Sequence, residues 1–294
     1  LKQVFDSLRP TFSKGGRLQA FHSIFEGVET FMLVPADTSR SGVNVHDAID
    51  SKRIMSFVVI ALLPALLFGM YNIGYQNYSA AGKLAEADTW SLLLYGFLLV
   101  LPKIIVSYAV GLGIEFAVAQ WKGEEIQEGY LVTGLLIPMI VPVGCPLWML
   151  ALAVAFSVIF CKEIFGGTGM NIFNPALVAR AFLFFSYPTS MSGDKVWVAS
   201  ESFFGLGNNL TVDAMTKATP LGEAAAGVAS KTEFTDLVVG LIPGSIGETS
   251  VIAIAIGAAI LLLTRIASWK TMSMVFLGGA LAGFLFNVIG LENN

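Results

Sequence analysis

Three long stretches of this sequence contain no charged side chain, and they limit what the chain can fold into. No Asp, Glu, Lys or Arg occurs in residues 54–82, 129–161 or 271–291. A helix needs about 20 consecutive apolar residues to cross a bilayer, and each stretch is long enough. The charged fraction of 13 % is low, because soluble domains typically contain roughly 25 %. The sequence therefore predicts an all-α polytopic membrane protein.

The composition also limits the kinds of partner. The net charge is −4 and the basic residues form no patch, which excludes nucleic-acid binding as a main role. Cys145 and Cys161 lie in apolar runs and are interpreted as buried, unreactive thiols. Two cysteines without neighbouring histidines do not indicate a metal site. Membrane lipid is therefore the partner that the composition predicts.

Residues 1–53 form the polar stretch before the first apolar segment, and they hold seven of the 17 Lys and Arg residues. The positive-inside rule places such a segment in the cytoplasm. Within it, residues 18–26 have the pattern of a short amphipathic helix, which is suited to lying on a membrane or on a partner.

Apolar segments divide the remaining chain into membrane and loop regions. The predicted segments are 54–75, 91–120, 130–141, 147–160, 176–187, 237–243, 251–263 and 272–289. They define a first membrane repeat of about five helices at 54–187, a polar loop at 188–235 and the start of a second repeat at 236–294. An odd number of crossings places the loop outside if residue 1 lies inside.

Two of these segments are short and interrupted by proline and glycine, at 130–146 and 236–248. Neither crosses a core of about 30 Å as a helix, because each residue advances only about 1.5 Å. Repeated broken helices of this kind indicate an inverted repeat with a binding site near the membrane midplane. A complete second repeat needs on the order of 100 further residues after Asn294.

The densest polar motif is the glycine-rich segment 162–175. A glycine-rich backbone before a helix can offer N–H donors to an anion or a polar heterocycle. Asn171 and Asn174 each carry a donor and an acceptor, which suits the edge of a flavin or a purine. An ordinary membrane-surface turn with an Asn cap before Pro175 fits the same residues equally well.

Three charged residues lie inside predicted spans. Glu115 suggests an ion ligand or a proton carrier, although a place at the interface fits about as well. Lys103 is more central and has no sequence-local partner. Arg180 lies one turn into its span, and we expect its side chain to extend to the membrane surface.

At these motifs the sequence resembles the B subunit of the bacterial sodium-pumping NADH:quinone oxidoreductases. The resemblance is closest in residues 162–185, KEIFGGTGMNIFNPALVARAFLFF, and recurs at 48–55, 242–248 and 286–290. It extends from about residue 15 to the end. The resemblance implies an inverted-repeat bundle with half helices, similar to urea and ammonium transporters, whose second repeat is incomplete in this chain.

The same resemblance implies two flavins. The family carries FMN bound through its phosphate to a threonine on the outer side, and the matching residue is Thr219. A separate flavin transferase attaches it in that family; Thr216 and Lys217 stand where the family usually has Ser-Gly. A non-covalent riboflavin is implied near the glycine-rich turn, with Thr133, Asn171 and Asn174 as its polar contacts.

The resemblance further implies sites for quinone and sodium. Glu26 and Gly111 match quinone-site positions, Leu112 replaces a second family glycine, and Glu115 matches a carboxylate associated with sodium uptake. The implied function is electron transfer from a partner's FMN through Thr219-linked FMN and riboflavin to quinone, coupled to Na⁺ export. The setting is a six-subunit complex in the bacterial inner membrane, with residue 1 cytoplasmic and Thr219 periplasmic.

Two alternatives remain open. The D subunit of the Rnf ferredoxin:NAD oxidoreductases shares the Ala-Thr flavin motif, although the N-terminal segment favours the quinone enzyme. A flavin-free channel or transporter of the same fold is the other alternative, and it predicts no covalent flavin.

Overall fold

The computed structural model describes residues 2–12, 16, 25, 29, 32–33, 51–122, 129–211, 218–225, 227 and 232–289. Regular structure in these residues is helical, apart from one isolated bridge between Phe203 and Leu206. The α-helices are α1 (Lys2–Phe12), α2 (Ser51–Ala80), α3 (Thr89–Lys122), α4 (Tyr130–Met139), α5 (Leu147–Ser157), α6 (Pro175–Ser186), α7 (Pro188–Met191), α8 (Pro220–Ala225), α9 (Phe234–Val239), α10 (Val251–Leu263) and α11 (Trp269–Ile289). A π-helical turn, Val158–Lys162, and a 3₁₀ turn, Glu163–Phe165, prolong α5.

Helix length and hydropathy agree with a membrane protein. The helical segments long and apolar enough to cross a bilayer are Arg53–Ala80, Thr89–Lys122, Leu147–Phe165 and Trp269–Phe286. The apolar helices α4, α6 and α10 are shorter. The prediction of an all-helical polytopic membrane protein is thus confirmed for the described residues.

Helices α2 and α3 form an antiparallel hairpin in close backbone contact. A side chain at Gly74 would overlap the backbone of Leu92, and one at Gly96 would overlap the backbone of Met70. Lipid provides no hydrophobic drive for helix packing, so close approach at small residues is what holds such pairs together. Helices α4 and α5 pack on α3, and α10 packs on α2, so the hairpin is the frame of the bundle.

The first interruption of the bundle, called here the first break, comprises residues 140–146. Pro142 and Pro146 lack a backbone N–H and cannot continue a helix. The Gly144 N–H instead donates to the Val196 carbonyl at 3.0 Å, and α5 begins directly after Pro146. The helix before this break is short, as predicted, since α4 comprises Tyr130–Met139.

The second break comprises residues 240–250 and lies against the first. It follows α9 at Gly240, whose φ of 98° is left-handed, and it ends where the Ser250 hydroxyl caps α10. The Gly247 N–H donates to the Met139 carbonyl at 2.7 Å, and the Asn72 amide donates to the Ile242 carbonyl at 2.8 Å. The two interrupted segments predicted from the sequence therefore meet beside α2.

The bundle has two distinguishable faces. The long-loop face holds residues 81–88 and 187–211, because Asn77 near the end of α2 bonds the carbonyls of Ala199 and Asn208. The glycine-turn face holds Lys122, Gly129 and residues 162–175, because the Lys122 ammonium donates to the Glu163 carbonyl at 3.3 Å. The loop that follows α6 thus lies at the opposite end of α3 from the glycine-rich turn.

Candidate functional site

The glycine turn, residues 162–175, uses its amide side chains within itself. The Asn174 side-chain oxygen accepts from the Ala176 N–H at 2.9 Å and the Leu177 N–H at 3.4 Å, which caps α6. The Asn171 amide donates to the Phe173 carbonyl at 2.9 Å. Asn174 is exposed, whereas Asn171 is half-buried. The Asn171 side-chain oxygen also accepts from the Gly169 N–H at 3.2 Å, so the capped-turn interpretation describes this geometry.

Three glycines shape this turn. Gly166, Gly167 and Gly169 have φ values of 108°, 98° and 89°, a left-handed conformation that side chains with a Cβ rarely adopt. Thr133, the third predicted riboflavin contact, is half-buried on α4, which packs on α6. Among the described residues no hydrogen bond joins Thr133 to either asparagine.

Glu115 forms a buried ion pair that the sequence analysis did not anticipate. The Lys162 ammonium donates to Glu115 Oε1, and the two side chains are only 6 % and 5 % exposed. Glu115 Oε2 is buried and has no hydrogen-bond partner among the described residues. A carboxylate oxygen left unpaired in a dry interior is costly and is suited to receiving a cation or a proton.

The π-helical turn explains how Lys162 reaches this carboxylate. Val158–Lys162 closes one wider turn at the end of α5, and π turns are frequent at functional sites. The two residues are 47 positions apart, so no local spacing could reveal the pair. The one available signal was that Lys162 is the first charge after a long apolar stretch.

Gly111 lies one turn before Glu115 and faces the ring of Tyr130. A side chain at this position would overlap the Tyr130 ring, whose hydroxyl donates to the Ser107 carbonyl at 3.0 Å. Tyr130 and Ser107 are both buried. The predicted quinone position Gly111 therefore lies at a close-packed contact beside the Glu115–Lys162 pair. Glu26, the other predicted quinone residue, lies outside the described residues.

Thr219 lies immediately before α8 in the polar loop and is half-buried. Its hydroxyl accepts from the Gly222 N–H at 3.1 Å, and its carbonyl accepts from the Glu223 N–H at 2.9 Å. Thr216 and Lys217, which depart from the family motif, lie outside the described residues. The Thr219 hydroxyl thus caps a short helix. The same hydroxyl oxygen is the atom that can form a phosphoester.

Arg180 has a carboxylate partner that the sequence analysis did not anticipate. Its guanidinium is partly exposed, and it contacts both carboxylate oxygens of Glu248, at 2.7 and 2.9 Å. Charge-assisted bonds of this kind are stronger than those between neutral groups, and the pair joins α6 to the second break. The described residues hold no group of three or more His, Cys, Asp or Glu side chains suited to a metal.

Comparisons with known proteins agree with this architecture. Residues 38–294 match the model of the NQR2, RnfD, RnfE family. The whole chain aligns at 42 % identity with the B subunit of the Na(+)-translocating NADH-quinone reductase of Chromohalobacter salexigens, covering 74 % of that relative. It aligns at 39 % with the proteins of the same name from Pseudomonas aeruginosa strain LESB58 and Klebsiella pneumoniae strain 342, covering 76 % and 77 % of them. The chain belongs to the NQR2, RnfD, RnfE family.

Proposed function

We propose that this chain is the B subunit of a Na⁺-translocating NADH-quinone reductase. Its identity of 42 % with a protein of that name, over the whole chain, carries the proposal. The buried Glu115 with one unpaired oxygen supports it, because an ion pump needs an ionisable group inside the membrane.

The proposal includes two flavins, which accept and pass on electrons when bound. Thr219 would hold FMN through a phosphoester, because its hydroxyl lies in a polar loop where a flavin transferase has access. Thr133, Asn171 and Asn174 would hold riboflavin at the glycine-turn face, where Asn174 is exposed and the other two are half-buried. The chain's own part is to place these flavins on opposite faces of one bundle, so that electrons pass along it.

Sodium and quinone complete the proposed reaction. Glu115 would receive Na⁺ on its unpaired oxygen, in competition with the Lys162 ammonium. Gly111 and Glu26 would border the quinone site. The close contact between Gly111 and Tyr130 supports a coupling between quinone and sodium, because Gly111 and Glu115 lie on one face of α3, one turn apart.

The membrane arrangement belongs to the same proposal. The chain would lie in a bacterial inner membrane as part of a six-subunit complex, with residues 1–53 cytoplasmic and Thr219 periplasmic. The first repeat at 54–187 and the second from residue 236 would form an inverted-repeat bundle like that of urea and ammonium transporters. The meeting of two half-helix breaks beside α2 supports that symmetry.

The covalent flavin gives the direct test. The chain is produced together with a flavin transferase, separated on a denaturing gel and viewed under ultraviolet light. We expect one fluorescent band whose Thr219 peptide carries the mass of FMN. Thr219→Val should abolish it, whereas Thr211→Val in the same loop should not. Absence of fluorescence from the unchanged chain would overturn the covalent flavin and favour a flavin-free transporter.

The Rnf-type subunit remains the second candidate, because the matching family model also covers RnfD and RnfE. Covalent flavin does not distinguish the two. Quinone reduction by the assembled complex does: NADH-dependent quinone reductase activity supports the proposal, and ferredoxin-dependent NAD reduction would replace it.

A further inference from the structure

A cavity of about 580 Å³ lies inside the long-loop face. Its walls come from three parts of the chain: α3, the first break and residues 189–203 of the long loop. Most of the side chains are apolar, among them Leu98, Leu99, Val143, Val196 and Phe203. This volume is within the range of about 300–1,000 Å³ that small-molecule sites occupy.

Lys103 lines this cavity and provides a positive charge. The residue is only 5 % exposed, and its ammonium donates to the Cys145 carbonyl of the first break at 2.7 Å. An ammonium has three N–H donors, so two remain for a ligand. Within the described part of the chain no carboxylate lies at ion-pair distance from it; Glu201, which also lines the cavity, is exposed.

Lys103 also lies deep along its helix. It is about 20 Å from Trp90 and about 27 Å from Trp121 along α3, at 1.5 Å per residue. A buried charge with only a neutral carbonyl as partner is costly in such surroundings. A ligand that brings an electron-rich oxygen would offset this cost, and the cavity beside Lys103 has room for one.

We propose that this cavity binds a planar redox ring with its carbonyl edge on the Lys103 ammonium. This inference rests on the proposed function, which gives the chain redox partners. The apolar walls suit the faces of a flat ring, and the ammonium suits a carbonyl oxygen that gains negative charge when the ring is reduced. Electrons reach the ring from the NADH-oxidising part of the complex; Lys103 exchanges no electron and forms no covalent bond.

Two sources can supply such a ring. One is the flavin on Thr219, which belongs to the same long loop as the cavity wall. The other is a diffusible quinone. In either case Lys103 is a positioning residue that makes reduction of the ring more favourable.

The test is a redox titration of the assembled complex, followed by absorbance. Lys103→Met removes the charge and the hydrogen bond, whereas Lys103→Gln keeps a donor for the Cys145 carbonyl without the charge. We expect both to make reduction of one centre about tenfold less favourable, which is about 30 mV for a two-electron couple. Lys103→Arg should keep most of the effect. Lys83→Met, at an exposed position of the long-loop face outside the cavity wall, is the matched control and should shift it less than twofold.

Repeating the titration in Thr219→Val identifies the source of the ring. If the Lys103-dependent centre disappears, the ring is the tethered flavin; if it remains and follows added quinone, the ring is the quinone. The proposal is overturned if Lys103→Gln shifts no centre while all cofactors stay bound, because Lys103 would then only hold the first break. Gel fluorescence reports on the Thr219 flavin separately, so the two proposals fail in distinguishable ways.

Discussion

One face of α3 carries polar and small residues at every fourth position. Lys103, Ser107, Gly111 and Glu115 are all buried, although the helix as a whole is apolar. Residues four apart lie on the same face of a helix, so this sequence forms a continuous stripe toward the bundle interior. The stripe begins at the cavity of the long-loop face and ends at the Glu115–Lys162 pair.

Gly111 in this stripe gives a testable prediction about packing, because Gly113 on the same helix can serve as its control. An added methyl group at Gly111 would overlap the Tyr130 ring, whereas one at Gly113 would meet open space. We expect Gly111→Ala to lower stability by about 1–3 kcal/mol through overpacking. Thermal unfolding in detergent measures this loss.

Gly113→Ala is the control, and it should leave the melting temperature nearly unchanged. Gly111→Ala should also raise the quinone KM if the site borders this contact. Equal melting temperatures for the two variants would contradict the packing seen at Tyr130.

At the scale of helices, the hydropathy pattern predicted some elements at their observed bounds. Helix α10 was predicted at 251–263 and comprises Val251–Leu263; α3 was predicted at 91–120 and comprises Thr89–Lys122. Long apolar runs with clear ends determine such helices locally. Helix α2 continues past its predicted end at residue 75 to Ala80, because Gln76 and Asn77 are buried there and Asn77 bonds the distant loop at Ala199.

The breaks were predictable, but their partners were not. Proline and glycine mark where a helix must stop, so 130–146 and 236–248 were identified from local chemistry. The bond from Gly247 to Met139, and those of Lys103 and Lys162, join residues far apart in sequence. No periodicity within one segment records such contacts, because they arise only when the helices pack.

The Glu115–Lys162 pair joins α3 to the π-helical turn. We predict that removing one partner costs more stability than removing both. Lys162→Met alone should destabilise the chain by about 3–5 kcal/mol, because it leaves a buried, uncompensated carboxylate. The double variant Glu115→Gln with Lys162→Met should recover most of that stability.

A double-mutant cycle by thermal unfolding measures this coupling, and Na⁺-dependent turnover of the complex is the second readout. The double variant should stay inactive with Na⁺ despite its recovered stability, since the carboxylate is gone. If the losses of stability in the two single variants simply add in the double variant, Glu115 and Lys162 do not stabilise each other.

At the scale of the whole molecule, Arg180 and Glu248 connect α6 to the second break. Both side chains are partly exposed, at 37 % and 45 %. We expect Arg180→Glu alone to lower the melting temperature, because it places two carboxylates at contact distance. The exchange Arg180→Glu with Glu248→Arg should recover at least half of that loss.

The same cycle has a built-in control in Arg265→Glu, which changes a charge in the turn between α10 and α11. Adding Glu248→Arg to that variant should not raise its melting temperature. Failure of the charge exchange to recover stability would show that geometry, and not opposite charge, holds the second break.

The contact between the two breaks has a consequence for biogenesis. The carbonyl of Met139 at the end of α4 receives its donor from Gly247, which is synthesised only after the long polar loop. Lipid offers no substitute donor, so this one carbonyl needs water or another protein as its partner until residues 240–250 are made. We therefore expect α4 to take its final place only together with the second break.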